Sequence, residues 1–391
     1  MHFKKAITHK GLHLDEVMVF WLIERLDWSI GEVKEIFTNQ PVERQAGVLY
    51  IGVNPHHDRT TCTFADFFEE YFEEISASVN DETVRGLRAM VEVVLQEDTT
   101  GRLFSASPHP GLNSLSVPNL LRYLNYQGWS REQILAKFQP IGDLILRGVK
   151  ETLRSKPASI ETLTKFMAQK FLGYVELDMG LDPLLLISVL NQLPDVEIRQ
   201  IGQYIDQLAK TGQKRVNQPF MIFTLPGLVY AALLDGQDKL AGEICQLFLD
   251  GAKFWVDQHK KAQKDAKRRE EKEINGLKVV QVVSASPRAS QAARELGADV
   301  SVIIRPNGNV QIQSGQKRTP LQRVAARLRQ EEARLRKLKL DTAAAAAPGF
   351  DCFWFLHDGG TMVINGSDSS NVEPTRISPA KMLELVCLGL A

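Results

Sequence analysis

KAITHKGLHLDEVMVFWLIERL, residues 5–26, sets the architecture of the first part of the chain. Residues 5–8 read as a short strand. Residues 14–26 read as an apolar helix, and the polar segment between them holds two histidines and a glycine. A second unit of the same kind follows. Gly47 to Val53 (GVLYIGV) is a β-rich run suited to a buried strand, and it leads into Asn54-Pro55-His56-His57-Asp58-Arg59. Four of the eight histidines fall in these two segments. Strand, polar cluster and helix alternate, which predicts an α/β sheet with its site at the strand ends.

Working outward, Ser29 is read as the cap of a second helix reaching about Phe37. Residues 63–78 predict a helix with Phe64, Phe67, Phe68, Tyr71 and Phe72 on one side. Another helix starts near Asp81, with Val84, Leu87, Val91 and Val94 at helical spacing, and Asp98 is placed in a polar turn after it. From about Ser116 to Gly251 the apolar spacing is three to four residues, which predicts a helical region. His259 to Glu273, a mixed-charge run, is read as the extension of a long exposed helix. Then the character changes to α+β. LKVVQVVSA and DVSVIIR are strands around a short helix at 287–296, and NGNVQIQ closes a hairpin through Pro306-Asn307-Gly308. A basic helix spans about Pro320 to Leu340. CFWFLH and TMVIN are strands around Asp358-Gly359-Gly360, and Pro379 to Leu390 is a closing helix. The reading divides the chain into an α/β domain at 1–115, a helical region at 116–275 and a smaller α+β domain at 276–391.

Net charge is zero, but it is unevenly spread. From Gly251 onward 23 Lys and Arg stand against 15 Asp and Glu; before it the figures are 24 and 32. An acidic first part suits a cation, and a basic last part suits a phosphate-bearing partner. The four cysteines are far apart, without C-x-x-C spacing, so neither a disulfide framework nor a zinc knuckle is expected. No secretory h-region follows Met1, and the apolar run Val17–Ile23 is too short to span a bilayer, so a cytoplasmic location is expected. The marks of serine hydrolases, P-loop enzymes and Rossmann dehydrogenases are absent.

His9, His13 and Asp15 stand at i, i+4 and i+6 around Gly11, where one loop can turn all three to one point. His56, His57 and Asp58 form a second set, and Asp98 is a seventh candidate. Imidazoles with hard carboxylates suit a divalent ion, manganese first, with magnesium or zinc as alternatives. Surface turns and a helix start favoured by Asp15 and Glu16 are the plainer readings of the same residues. The basic helix, with Arg323, Arg327 and Arg334 among its cations, could follow a phosphate backbone without reading sequence.

The order of these motifs resembles the DHH (Asp-His-His) phosphoesterase superfamily, and most nearly its Myg-type branch of metal-dependent hydrolases. The resemblance rests on Thr8-His9, Gly11 and His13-Leu14-Asp15-Glu16, on His56-His57 as the double histidine, and on Asp98 as the third-motif carboxylate. It implies His9, His13, Asp15, His56 and Asp98 as metal ligands, with His57 and Asp58 in the catalytic positions. The last 115 residues are similar to the DHH-associated domain. This implies substrate contacts at Asn307, Gly308, His357, Gly359 and Gly360, and a phosphodiester substrate such as RNA or an oligonucleotide; Arg305 is a candidate phosphate ligand by its location alone. The chain departs from the pattern at Leu49-Tyr50-Ile51-Gly52, where the superfamily carries an aspartate, and at Pro55 before the histidine pair. A single metal, or a catalytically degenerate protein that binds nucleic acid or a protein partner, therefore stays open. So does a hydrolase for a phosphorylated small molecule. Oligomeric state is not legible.

Overall fold

The computed structural model describes residues 1–36, 45–53, 60–100, 116–153, 222–234, 236–315, 318–339, 349–350, 353–357, 359–366 and 372–391. The fold is mixed α/β. The described residues fall into two units, one running to Val256 and the other starting at Asp257. The helical region from 116 packs within the first unit, and the expected division at 115/116 adjoins residues outside those described.

A three-stranded parallel sheet lies near the start, with β1 (His2–His9) between β2 (Ser29–Ile36) and β3 (Val48–Ile51). Parallel neighbours need a crossover, and α1 (Leu14–Arg25) supplies it between β1 and β2. Leu14 through Ile23 are all buried. A helix that is apolar all round belongs in a core, and α1 packs against α2 (Thr63–Glu70), α4 (Asp81–Thr100) and α6 (Arg131–Leu153). Between these lie α3 (Phe72–Ser78) and α5 (Val117–Tyr126); α7 (Leu225–Leu234) and α8 (Asp238–Ala266) follow. Phe64, Phe67 and Phe68 of α2 enter the same core.

Three local expectations are overturned. Ser29–Ile36 is strand β2, not a helix. Ile30, Val33 and Ile36 carry a helix-like spacing of three, yet pairing with β1 along its whole length decides the conformation. Gly31 disfavours a helix interior. It also fits here because a Cβ would come within 2.9 Å of the Lys4 carbonyl oxygen. The second correction concerns 259–273. The helix stops at Ala266, and Glu270–Ile274 is strand β4, paired with β5 (Leu277–Val283). The two-residue turn is Asn275-Gly276, both at positive φ (51° and 71°), a hairpin signal overlooked within the charge run. Asp98 lies in the last turn of α4 rather than beyond it.

The second unit holds a seven-stranded sheet ordered β4-β5-β6-β7-β10-β9-β8, with β6 (Val300–Ile304), β7 (Val310–Ser314), β8 (Gly349–Phe350), β9 (Phe355–Leu356) and β10 (Met362–Asn365). Only β5 and β6 run parallel. One core joins this sheet to α10 (Gln322–Arg336) and α11 (Pro379–Leu390). A smaller one joins it to α9 (Ala289–Glu295) and the end of α8. Glu332, 1% exposed, ties the first core together. It accepts from Arg336 Nε (2.6 Å), the Arg376 amide (3.0 Å) and the Thr375 hydroxyl. No helix among the described residues is long and apolar enough to cross a membrane.

Candidate metal centre

β1 ends at His9, and the chain turns through Lys10, Gly11 (φ 84°) and Leu12 before α1 begins. His13 is the residue ahead of the helix and has an extended backbone. Asn125 of α5 holds this turn in place, its Nδ2 donating to the Leu12 carbonyl (2.8 Å) and to the Leu121 carbonyl (3.0 Å). Glu16, the third helical residue, reaches back, and its Oε2 accepts the His13 amide at 2.6 Å. That bond satisfies one of the free N–H groups of the helix start. Its other oxygen faces His9 Nε2 at 2.8 Å. The His9 and His13 rings lie 5.1 Å apart between centroids, and His13 Nδ1 is 4.0 Å from Glu16 Oε2. One donor atom from each of His9, His13 and Glu16 lies within 4.8 Å of the other two.

The protonation of this group follows from its contacts. His9 Nδ1 faces the Lys10 carbonyl at 3.3 Å, so that nitrogen carries a hydrogen. In a neutral ring Nε2 would then point a lone pair at a carboxylate, and a positive species has to stand between them. Without a metal it is a proton. Burial opposes the imidazolium, but the Glu16 hydrogen bond and charge outweigh it and push His9 up to about 9. Burial likewise opposes the Glu16 anion, and the two histidines overcome it, bringing Glu16 down to about 2.

Gly52, the first residue after β3, closes the back of the group. It has φ 70°, and a Cβ there would lie 2.3 Å from Glu16 Oε1 and 2.9 Å from His9 Cδ2. In the sequence this stretch reads as a buried strand that lacks the expected aspartate, and Gly52 carries no site role there. Glu16, read there as a helix-start residue, is the carboxylate that faces both histidines.

The other candidates are placed as follows. Asp15, 5% exposed, turns toward α2, and its Oδ2 accepts the Thr63 amide at 3.2 Å. Burial first, then the charges of Glu16 and Asp98, raise its carboxyl well above the usual range. Asp98 is exposed, and its charge also acts on buried Cys62, whose thiol burial pushes up to about 12. His56, His57 and Asp58 lie outside the described residues.

In the second unit, Arg305 Nη1 donates to the Ser286 carbonyl (2.5 Å) and the Ser284 carbonyl (3.4 Å), bracing the turn after β5. Asn307 Oδ1 accepts the Asn309 amide at 3.0 Å, and Gly308 has φ 88°, both within the β6–β7 turn. His357 Nδ1 accepts the Gly359 amide at 3.3 Å, while the Gly360 amide donates to the His357 carbonyl (2.7 Å). Gly360 lies against the Gln322 side chain at the start of α10. Of the basic helix, Arg323 and Arg334 are exposed and Arg327 is half-buried. Arg334 forms a bidentate pair with Glu331 at 2.7 and 2.8 Å. Arg329 is buried on the Trp354 carbonyl, and Arg336 is bound to Glu332 and Glu373. The outward charge is thus smaller than the residue count suggests.

Neither a protein-family model nor a curated protein matches the chain. Among solved structures, an uncharacterized protein from Helicobacter pylori G27 aligns with all of this chain and 99% of its own, at 10% identity and a TM-score of 0.21. A likeness that slight carries no argument about fold or activity.

Proposed function

We propose that the chain is a divalent-metal-dependent phosphoesterase acting on phosphodiesters of RNA or oligonucleotides, with His9, His13 and Glu16 as its first metal ligands. The observation that carries this reading is the convergence of two imidazoles and one carboxylate where the central parallel strand ends. Ligand sites of open α/β sheets gather at that edge. The donor set fits a borderline divalent ion. A first-row ion with donors at about 2.1 Å spans at most about 4.2 Å between two of them, so the three need only a small closure. Glu16 is oriented for the task because its second oxygen is already held by the His13 amide. His56 and His57 stay in the reading on their sequence motif alone.

Once bound, the ion would lower the pKa of a water and draw charge from a phosphoryl oxygen. The chain's own residues then have separate tasks. His9 and Glu16 hold the ion in a buried corner, and His13, exposed at the rim, completes the grip. Asp15 turns away from the three toward α2, where burial raises its carboxyl well above the usual range. His57 and Asp58 remain the candidates for contact with the reacting group.

The test is manganese-dependent release of mononucleotides from a short single-stranded RNA. Wild type is expected to show it, with His13→Ala and Glu16→Gln falling by at least about 100-fold. Equal rates in wild type and Glu16→Gln would remove the assignment. One observation favours the degenerate alternative: the His9–Glu16 pair and the Glu16–His13 bond already satisfy one another. A protein that manganese does not stabilise against heat would belong to that class.

A further inference from the structure

We propose that β2 is a self-pairing edge, and that two copies of this chain join through it into one continuous sheet across a two-fold axis at Val33. Among the described residues β2 is an outer strand of the parallel sheet, with Ile30, Val33 and Ile36 half-buried and Ser29, Gly31, Glu32, Lys34 and Glu35 exposed. An outer strand presents a row of backbone donors and acceptors to any second strand. Such edges are commonly blunted by charged side chains. The outer strand of the second unit, β4, is of that kind, with Glu270, Glu271, Lys272 and Glu273 all exposed. β2 instead sets apolar residues between its charges, in an order that fits its own reverse.

The register follows from symmetry. A two-fold axis that makes two copies of one strand antiparallel neighbours stands perpendicular to the sheet, so each residue opposes one of the same face, and the axis passes through a residue. Over Ser29–Ile36 the pairing reaches seven residues per copy only when that residue is Glu32 or Val33. An axis at Glu32 sets two carboxylates against each other. An axis at Val33 sets Glu32 against Lys34 of the second copy, twice, and Ile30 against Ile36, twice. Directly opposed unlike charges and apolar pairs are the favourable combinations in antiparallel strands, and like charges are unfavourable. Glu32 is already 3.1 Å from Lys5 of β1, so it would stand between two lysines on one face of the joined sheet. Val33 would meet its symmetry mate on the opposite face, with Gly31 leaving room for Glu35. The resulting interface is isologous and closed, giving a dimer and no filament. A seven-residue edge lies at the low end of specific interface areas, so the dimer forms as a function of protein concentration.

The experiment is cysteine cross-linking of the full chain, read beside a concentration series in the analytical ultracentrifuge. Val33→Cys is expected to form an interchain disulfide under mild oxidation, since opposed Cα atoms lie about 4.5–5.5 Å apart. Glu32→Cys and Lys34→Cys are each expected not to link alone, and to link when mixed. Lys34→Glu should abolish self-association, and adding Glu32→Lys to it should restore it, which separates a broken pairing from a damaged fold. A wild-type chain that stays monomeric at every concentration overturns the proposal. So does cross-linking of equal yield at positions 32, 33 and 34.

Discussion

At the residue scale the centre turns on Glu16. Asp15 and Glu16 are neighbours in sequence but lie about 100° apart around a helix, so one faces the histidines and the other faces α2. The two histidines were legible from their spacing around Gly11. Which of two adjacent acids joins them was not, because that depends on how α1 is rotated against the sheet. The proton between His9 and Glu16 makes a first prediction. A metal has to displace it, so manganese affinity should rise with pH up to about 9 with release of a proton, measurable by titration calorimetry in buffers of different ionisation heat. An affinity that does not change between pH 6 and 9 would contradict this. The same pair shapes apoprotein stability. His9 is raised, so its contribution is complete below about 6.5 and is lost as pH rises through about 9. Glu16 is lowered, so its contribution is complete above about 4.5 and is lost as pH falls through about 2. The pair, counted once, is worth about 3 kcal/mol, greatest between roughly pH 4.5 and 6.5. The plateau should vanish in His9→Gln when urea midpoints are compared across pH.

At the element scale, the turn that presents His13 is held by α5 as well as by Gly11 and Glu16 of its own segment. Asn125→Leu should leave the Leu12 carbonyl without its donor, costing about 1–3 kcal/mol in chemical denaturation. It should also weaken manganese binding although Asn125 touches no ligand atom. Unchanged affinity in a destabilised Asn125→Leu protein would separate the turn from the centre. Gly52→Ala makes a stronger demand. The positive φ and the 2.3 Å approach to Glu16 mean that β3 or the carboxylate has to move, so loss of metal binding together with about 1–3 kcal/mol of stability is expected from the same assay. Elements were legible where periodicity and turn chemistry agree: α1, β3, the β6–β7 hairpin and the closing helix. β2 was misread because Ile30, Val33 and Ile36 mimic one helical face, and only the partner strand β1 supplies the deciding hydrogen bonds. β4 was misread because a charged outer strand has no apolar alternation to display.

At the scale of the whole molecule, the division at Val256 falls inside α8, just before the mixed-charge run, and the helix feeds apolar residues to the first unit and then Ala262 and Ala266 to the second. The two units have separate cores, so unfolding need not be a single transition. Glu332→Ala should strip Arg336, Trp354, Thr375 and Arg376 of a buried acceptor and leave Arg336 with the Glu373 carboxylate, destabilising the second unit by about 1–3 kcal/mol. Manganese binding in the first unit should survive that change, as read by calorimetry on the folded variant below its melting range. The claim that all else rests on is that Glu16, with His9 and His13, grips a cation. Titration of manganese into metal-free wild type and Glu16→Gln at pH 8 tests it most directly. The account predicts saturable binding with proton release in the wild type and its loss in the variant. Identical isotherms from the two proteins, or no heat from either, would contradict it.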